Sequence, residues 1–182
     1  MKLTRESAIL VTGMRGGGKT FWIKKHLSIF PNDSLYIYDY NQNDYQEFIK
    51  TQNVWNNQFS TKAEFDEFLY IPYSRGNCTV VMEEADQYLK ISGTDFCKHF
   101  VGTARNRGIG FICNTKRPFG INPDFRSAFD RVIIFHTNDP EDIKYLEKWA
   151  GRELTQISTL ALKGEYIEVN MITKEVSGVK KL

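Results

Sequence analysis

Polar and apolar positions sort this chain into short alternating blocks. Ala8-Ile9-Leu10-Val11-Thr12, Cys78 to Met82, Ile109 to Cys113 and Arg131-Val132-Ile133-Ile134-Phe135 are nearly unbroken apolar runs. Runs of this length, bounded by glycine or charge, predict strands buried on both faces, as in a parallel sheet. Ser34-Leu35-Tyr36-Ile37-Tyr38-Asp39 is aromatic and β-branched and predicts another strand.

Between these runs the spacing changes to that of helices. Phe21 to Leu27, Ala63 to Leu69 and Pro140 to Trp149 carry apolar residues three and four apart. Ser60 or Thr61 is placed to cap the second of these, and Gly151 to stop the third. Asp86 to Val101 reads as a helix interrupted near Ser92-Gly93-Thr94, with Ile91, Phe96, His99 and Phe100 sharing its buried side. His99 reads as structural or solvated there. Pro31-Asn32-Asp33 and Ser74-Arg75-Gly76-Asn77 predict turns, and Pro118 to Asp130 a loop or short helix. The Asn- and Gln-rich piece from Gln52 to Gln58 predicts a surface connection with Trp55 plugging into the core. Leu160-Ala161-Leu162 and Glu165 to Val169, split at Lys163-Gly164, predict a closing hairpin. The tail from Lys174 is polar and basic and is expected to fray.

Composition narrows the class. A chain of 182 residues suits one domain with a full core, spanning 1–182. A net charge of +2 argues against a wholly electrostatic DNA binder, though not against a local basic patch. Cys78, Cys97 and Cys113 lack CxxC spacing and are odd in number, which predicts free thiols in a reducing compartment and no cysteine metal site. Met1 to Ser7 is polar, so no signal peptide is expected. No apolar run approaches the roughly 20 residues that span a bilayer.

The candidate chemistry begins at Gly13-Met14-Arg15-Gly16-Gly17-Gly18-Lys19-Thr20, which fits G-x-x-x-x-G-K-[ST] between a predicted strand and a predicted helix. Glycines let backbone N–H groups approach phosphate oxygens, and the helix N-terminus adds a favourable dipole. Lys19 is expected to reach the β- and γ-phosphates of ATP, and the Thr20 hydroxyl to ligate Mg²⁺. The run Cys78-Thr79-Val80-Val81-Met82 ends in Glu83-Glu84-Ala85-Asp86, a buried strand tipped with acids, the Walker B pattern. Glu83 is expected in the Mg²⁺ shell and Glu84 as the base that orients and deprotonates the attacking water; the competing reading is two solvated acids at a helix start. Asp39 closes its own strand, where α/β sheets put ligand-facing groups, though a turn-starting role is favoured. Arg105 and Arg107 precede the run Ile109 to Cys113. One of them is a candidate arginine finger on a neighbouring subunit's γ-phosphate; a solvated basic turn is the alternative. Asn114 and Thr115 end that run as candidate γ-phosphate sensors.

The order of parts resembles the FtsK–HerA superfamily of DNA-pumping ATPases. Glu83-Glu84-Ala85 is similar to the Walker B of the HerA branch, and Ala104-Arg105-x-x-Gly108-Ile109 through Thr115-x-Arg117-Pro118 to the stretch around the fourth core strand of FtsK. The likeness is weak from Asn41 to Tyr70 and otherwise covers most of the chain. Lys116 stands where many members have Gln. The resemblance implies an α/β, RecA-like (ASCE) P-loop NTPase core, with a mostly parallel central sheet flanked by helices. It also implies ATP and Mg²⁺ as ligands, non-sequence-specific binding of double-stranded DNA, and self-association into a ring, commonly a hexamer.

A nearly bare motor core resembles the genome-packaging ATPases of membrane-containing icosahedral viruses. That implies work in the cytoplasm of a host cell or with the virion, against a capsid vertex or a viral membrane protein. Lys116, Arg117, Arg126 and Arg131 fall in the second half of the chain, as candidate DNA-phosphate contacts or as ordinary surface. The alternatives are a phage assembly or secretion ATPase of the Zot type, a small-molecule kinase and a non-hydrolytic nucleotide-binding scaffold.

Overall fold

A computed structural model describes residues 4, 6–27, 34–41, 44–48, 53–56, 61–89 and 95–182. The turn expected at Pro31-Asn32-Asp33, the helix break at Ser92-Gly93-Thr94, and the candidates Ser60 and Ile91 lie outside the described residues, as does the side chain of Trp55.

The apolar runs become the strands they predict. β1 is Ala8–Thr12, β2 Leu35–Asp39, β4 Thr79–Met82, β5 Gly110–Thr115 and β6 Arg131–Phe135. With β3 (Asn53–Asn56), β7 (Glu165–Asn170) and β8 (Lys180–Lys181), they form one sheet in the order β3-β2-β4-β5-β1-β6-β7-β8. From β3 to β6 all neighbours are parallel; β7 and β8 add on antiparallel.

Side chains alternate across a strand, so β1 feeds two cores. Ile9 and Val11 join Trp22, Ile23 and Leu27 of α1 (Lys19–Leu27) on one face. Ala8 and Leu10 join the larger cluster on the other face. That cluster is covered by α2 (Lys62–Arg75), α3 (Asp95–Thr103), α4 (Pro123–Arg126) and α5 (Pro140–Ala150). Cys78, Cys97 and Cys113 are free and buried. Among the described residues no helix is long and apolar enough to cross a membrane.

Local signals explain several ends. Thr61 caps α2 through a reciprocal box: its hydroxyl accepts from Glu64 N at 3.3 Å, and Glu64 accepts from Thr61 N at 2.6 Å. Asp139 accepts from Glu141 N and Asp142 N to start α5, and Gly151 stops it in the left-handed region. Asp39 starts the turn after β2, accepting from Tyr45 N at 3.1 Å while fully buried.

Four expectations are corrected. The polar piece from Gln52 holds edge strand β3, paired with β2 from Tyr36↔Asn53 to Asp39↔Asn56; a polar strand is tolerated where only one side is paired. The turn expected at Ser74 starts late, because α2 continues to Arg75 and ends at Gly76, whose φ is +67°. His99 and Phe96 do not share the buried side of α3: His99 is exposed and Phe96 half-buried, with Cys97, Phe100 and Val101 inside. At the C-terminus, Leu160–Leu162 is no strand. β6 takes the inner edge of β7, Arg131↔Asn170 to Phe135↔Tyr166, so only the outer edge is left for a hairpin partner. The tail fills it instead of fraying: Val176 bridges Val169 and Lys181 pairs with Glu165 in register. Backbone bonds from Ser177 N to Glu168 O and Leu182 N to Gly164 O secure it, with ion pairs Lys180–Glu168 at 2.8 Å and Lys181–Glu165 at 3.4 Å alongside.

Candidate nucleotide site

Six parallel strands end at one edge of the sheet, and that edge is where α/β folds bind ligands. The loop after β1 and the acids after β4 both emerge there. One strand, β5, lies between β1 and β4, so the two groups face each other across its end.

The glycine loop runs from Gly13 to Gly18 into α1. Gly13, Gly16 and Gly18 have φ of +134°, +81° and +109°, conformations that only glycine adopts without strain. At Gly13 there is also no space: an added Cβ would lie 2.8 Å from Phe135 Cβ and 3.0 Å from its backbone. The loop is anchored by Met14 N donating to His136 O at 2.9 Å and by Gly164 N donating to Gly17 O at 3.0 Å. Lys19 is buried, 7% exposed, and its ammonium donates to Gly13 O at 2.7 Å and Met14 O at 3.0 Å. Burial pulls the Lys19 pKa down to about 8, against the opposite pull of Glu84 and Glu83.

Opposite stand the acids. Glu83 is fully buried, with Tyr45 Oη donating to one carboxylate oxygen and Asn114 Nδ2 to the other. Burial raises its pKa to about 7 even though both hydrogen bonds favour the anion. Glu84 turns the chain: its backbone is left-handed, φ +50°, where a residue with a Cβ is strained by about 1–3 kcal/mol. Lys116 Nζ lies 2.7 Å from Glu84 Oε1. Asp86, the third acid of the run, accepts from Thr115 Oγ1 at 2.7 Å and does not line the cleft.

Between loop and acids is a cleft of about 530 Å³. Arg15, Gly16, Gly18, Lys19 and Thr20 line one side, and Glu83, Glu84, Asn114 and Lys116 the other. The structure therefore brings the candidate phosphate-binding residues and both candidate acids to one cavity. Gly13, Met14 and Gly17, also candidates, do not line it; they belong to the anchored part of the loop, bonded to His136 and Gly164. A polyphosphate fits this lining: the left-handed backbone of Gly16 and Gly18 and the buried Lys19 ammonium share one side of the cleft. For Mg²⁺, Thr20 and Glu83 line the same cleft. Among the described residues no group of three or more His, Cys, Asp or Glu side chains gathers as a metal site. Mg²⁺ needs fewer, since it keeps waters and takes phosphate oxygens.

Arg105 and Arg107 are elsewhere. They precede β5, at the opposite end of the strands from the glycine loop. Arg105 Nη2 donates to both carboxylate oxygens of Asp130, at 2.8 and 2.9 Å. Arg107 donates to Tyr73 O and Ser74 O at the end of α2. Neither meets the cleft of its own chain. The basic residues of the second half do not form one group either. Lys116 and Arg117 follow β5 at the cleft end, where Arg117 pairs with Asp139 at 3.0 Å. Arg131 opens β6 at the far end, and Arg126 lies over the Tyr145 ring beside Arg105 and Asp130.

Tyr45, Asn41 and Asp44 escaped the reading of the sequence. Asn41 and Asp44 line the cleft, and Tyr45 holds Glu83. They sit in the polar stretch after β2, which has no periodicity. The available signal was topological: β2 neighbours β4, so the loop after β2 must flank the acids after β4.

No family model matches this chain, and no curated protein does. Solved structures do. The genome packaging NTPase B204 from Sulfolobus turreted icosahedral virus 2, in complex with AMP, superposes with a TM-score of 0.81 at 19% identity, covering 99% of this chain and 100% of that one. The same protein was solved with AMPPCP and with ATP-gammaS. The pCW3 conjugation coupling protein TcpA matches at TM-score 0.67 and 13% identity, over 90% of this chain and 57% of that one. The N-terminal domain of zonular occludens toxin from Neisseria meningitidis matches at 0.58 and 12%, over 98% and 95%. The chain has the P-loop NTPase fold of these proteins.

Proposed function

We propose that this protein is an Mg²⁺-dependent ATPase whose hydrolysis drives double-stranded DNA, in the manner of a viral genome-packaging motor. The observation that carries the ATPase reading is the shared cleft of Lys19, Thr20, Glu83 and Glu84. Support for the DNA reading comes from neighbours that include a genome packaging NTPase and a conjugation coupling protein.

In this reading the loop amides from Gly13 to Gly18 hold the phosphates, and the phosphate charge restores full protonation to Lys19. Thr20 and Glu83 would hold Mg²⁺, which would supply positive charge to the phosphate oxygens. Tyr45 and Asn114 keep the Glu83 carboxylate aimed. Glu84 accepts a proton from water as the water oxygen bonds to the terminal phosphorus. The bond from that phosphorus to the bridging oxygen breaks, leaving ADP and phosphate. An arginine from a neighbouring subunit completes the charge balance, so the active form is a ring, acting at a capsid vertex in the host cytoplasm.

ATPase activity measured with and without double-stranded DNA, across protein concentration, tests this. Turnover that rises with DNA and with assembly is expected. Binding without turnover under every condition overturns the motor reading. The Zot-type assembly ATPase is the second reading, favoured by the zonular occludens toxin fold; turnover indifferent to DNA selects it.

A further inference from the structure

Strand β5 ends in Asn114 and Thr115, Lys116 follows, and each of the three has a different acid. Asn114 donates to Glu83, Thr115 to Asp86, and Lys116 to Glu84. Asn114 and Thr115 are buried, and each side-chain donor is engaged on an acid, Glu83 in the cleft and Asp86 outside it. Lys116 differs. Its side chain is 45% exposed, and it brings a second ammonium to the cleft that Lys19 lines.

We propose that Lys116 is an exchangeable latch on the hydrolytic base. It pairs with Glu84 until a nucleoside triphosphate enters, then transfers to the terminal phosphate. Glu84 becomes able to take a proton from water only when the phosphate to be cleaved is in place. The inference rests on the ATPase reading above and assigns the γ-phosphate contact of the chain's own subunit to Lys116, not to Asn114 or Thr115.

Three physical features favour the exchange. The lysine end of the pair is exposed, and the buried Glu84 also feels the Lys19 ammonium, so its charge is not left uncompensated when Lys116 departs. The lysine can move and the glutamate is less free. Lys116 has a flexible four-carbon stem, whereas Glu84 is set in a left-handed turn whose carbonyl accepts from Gln87 N at 2.8 Å. Finally, a terminal phosphate carries roughly twice the charge of a carboxylate and presents more acceptor oxygens to the same three N–H donors. A diphosphate lacks the group that completes the trade, so the latch distinguishes ATP from ADP. While it is closed, a Glu84 oxygen is occupied by an ammonium and is a poor acceptor for a proton from water.

Binding without turnover tests this directly. Dissociation constants for AMPPCP and ADP, each with Mg²⁺, are to be measured for the wild type, Lys116→Gln, Glu84→Gln and the double variant. Lys116→Gln should weaken AMPPCP about tenfold, the scale of one lost charge-assisted contact, and ADP less than about twofold. Glu84→Gln should tighten AMPPCP, partly by removing a nearby negative charge and partly by freeing Lys116. The second part should vanish when Lys116 is already Gln, so the two effects should not multiply. Equal weakening of both nucleotides, no weakening, or effects that simply multiply would overturn the latch. Should Lys116→Gln fail to fold, Glu84→Gln decides: tightening that is equal for ADP and AMPPCP, or absent, overturns it. A wild type that binds neither nucleotide brings down the ATPase reading itself, a result distinct from nucleotide binding with no discrimination by Lys116.

Discussion

Tyr45 donates its hydroxyl to Glu83 across 38 positions of sequence, and both side chains are fully buried. The bond ties the loop after β2 to the acid at the tip of β4. Burial pushes the Tyr45 pKa well above the usual tyrosine range, so the phenol remains a donor at any working pH. Tyr45→Phe removes that donor and leaves Glu83 with Asn114 alone. Above pH 7, where Glu83 is the anion, loss of a hydrogen bond to it should lower stability by about 1.5–3 kcal/mol in chemical denaturation. Mg²⁺-dependent nucleotide affinity should fall further than metal-free affinity, because the carboxylate is no longer held. An unchanged denaturation midpoint would remove Tyr45 from the site.

Glu83 gives stability a pH dependence whose sign follows from its direction of shift. Its folded pKa is about 7, above the ordinary value of 4.5, because burial disfavours the anion. The native state therefore holds a proton that the unfolded chain has released, and stability is lost as pH rises from about 4.5 through 7. Glu83→Gln cannot titrate. Relative to wild type it should gain stability between pH 5 and pH 8, on the order of 3 kcal/mol over that window. Denaturant melts of both proteins at several pH values measure this as a difference, which cancels other buried acids such as Asp39 and Asp142. A gap that does not widen toward pH 8 would mean that Glu83 is already ionised in the folded protein.

The sheet was legible because buried parallel strands are apolar on both faces, so β1, β4, β5 and β6 announce themselves without their partners. The cleft was legible for a related reason: glycines at Gly13, Gly16 and Gly18 and acids at Glu83 and Glu84 sit at the ends of those same runs. Other parts had no local signature. Strand β8 is two lysines held by acids on β7, an arrangement only the paired strand reveals. Tyr45 looks like any aromatic residue in a polar loop until β2 is placed beside β4. Lys116 read as a departure from a pattern, and its pairing with Glu84 depends on a left-handed turn that no residue type at position 84 predicts.

The loop glycines should differ in how badly they tolerate a methyl group. Gly16 has open space around it, so Gly16→Ala meets only the strain of φ +81°, about 1–2 kcal/mol. At Gly18 the new Cβ would lie 2.5 Å from Leu182 Cδ1, the movable end of a flexible side chain, in addition to φ +109°. At Gly13 it would meet Phe135 Cβ at 2.8 Å and carbonyl at 3.0 Å, which have no freedom to retreat. Melting temperatures should fall in the order Gly16→Ala, Gly18→Ala, Gly13→Ala, the last being lowest. Adding Leu182→Ala should recover part of the Gly18→Ala loss and none of the Gly13→Ala loss. A Gly13→Ala protein as stable as Gly16→Ala would contradict the contact with Phe135.

The two arginines ahead of β5 should separate by experiment, because their surroundings differ. Arg107 binds two carbonyls at the end of α2, at 2.6 and 3.2 Å, and its guanidinium lies 4.7 Å from the Tyr73 ring centre. Its contacts hold the structure together, so Arg107→Ala should lose about 1–2 kcal/mol of stability. Arg105 has a side chain 65% exposed and a surface pairing with Asp130, worth less than about 1 kcal/mol. It is the better candidate to leave its partner for a neighbour's phosphate. Arg105→Ala should fold normally, bind nucleotide normally, and lose turnover by a factor of about 10³ or more if it acts as a finger. Mixing it with Lys19→Ala supplies the decisive comparison. A subunit with an intact loop but no finger, set beside a subunit with a finger but no Lys19, rebuilds one complete site at some interfaces. Turnover in the mixture above the sum of the two inactive proteins is the expected result. No recovery across all mixing ratios, with assembly intact, would leave Arg105 as a surface residue bound to Asp130.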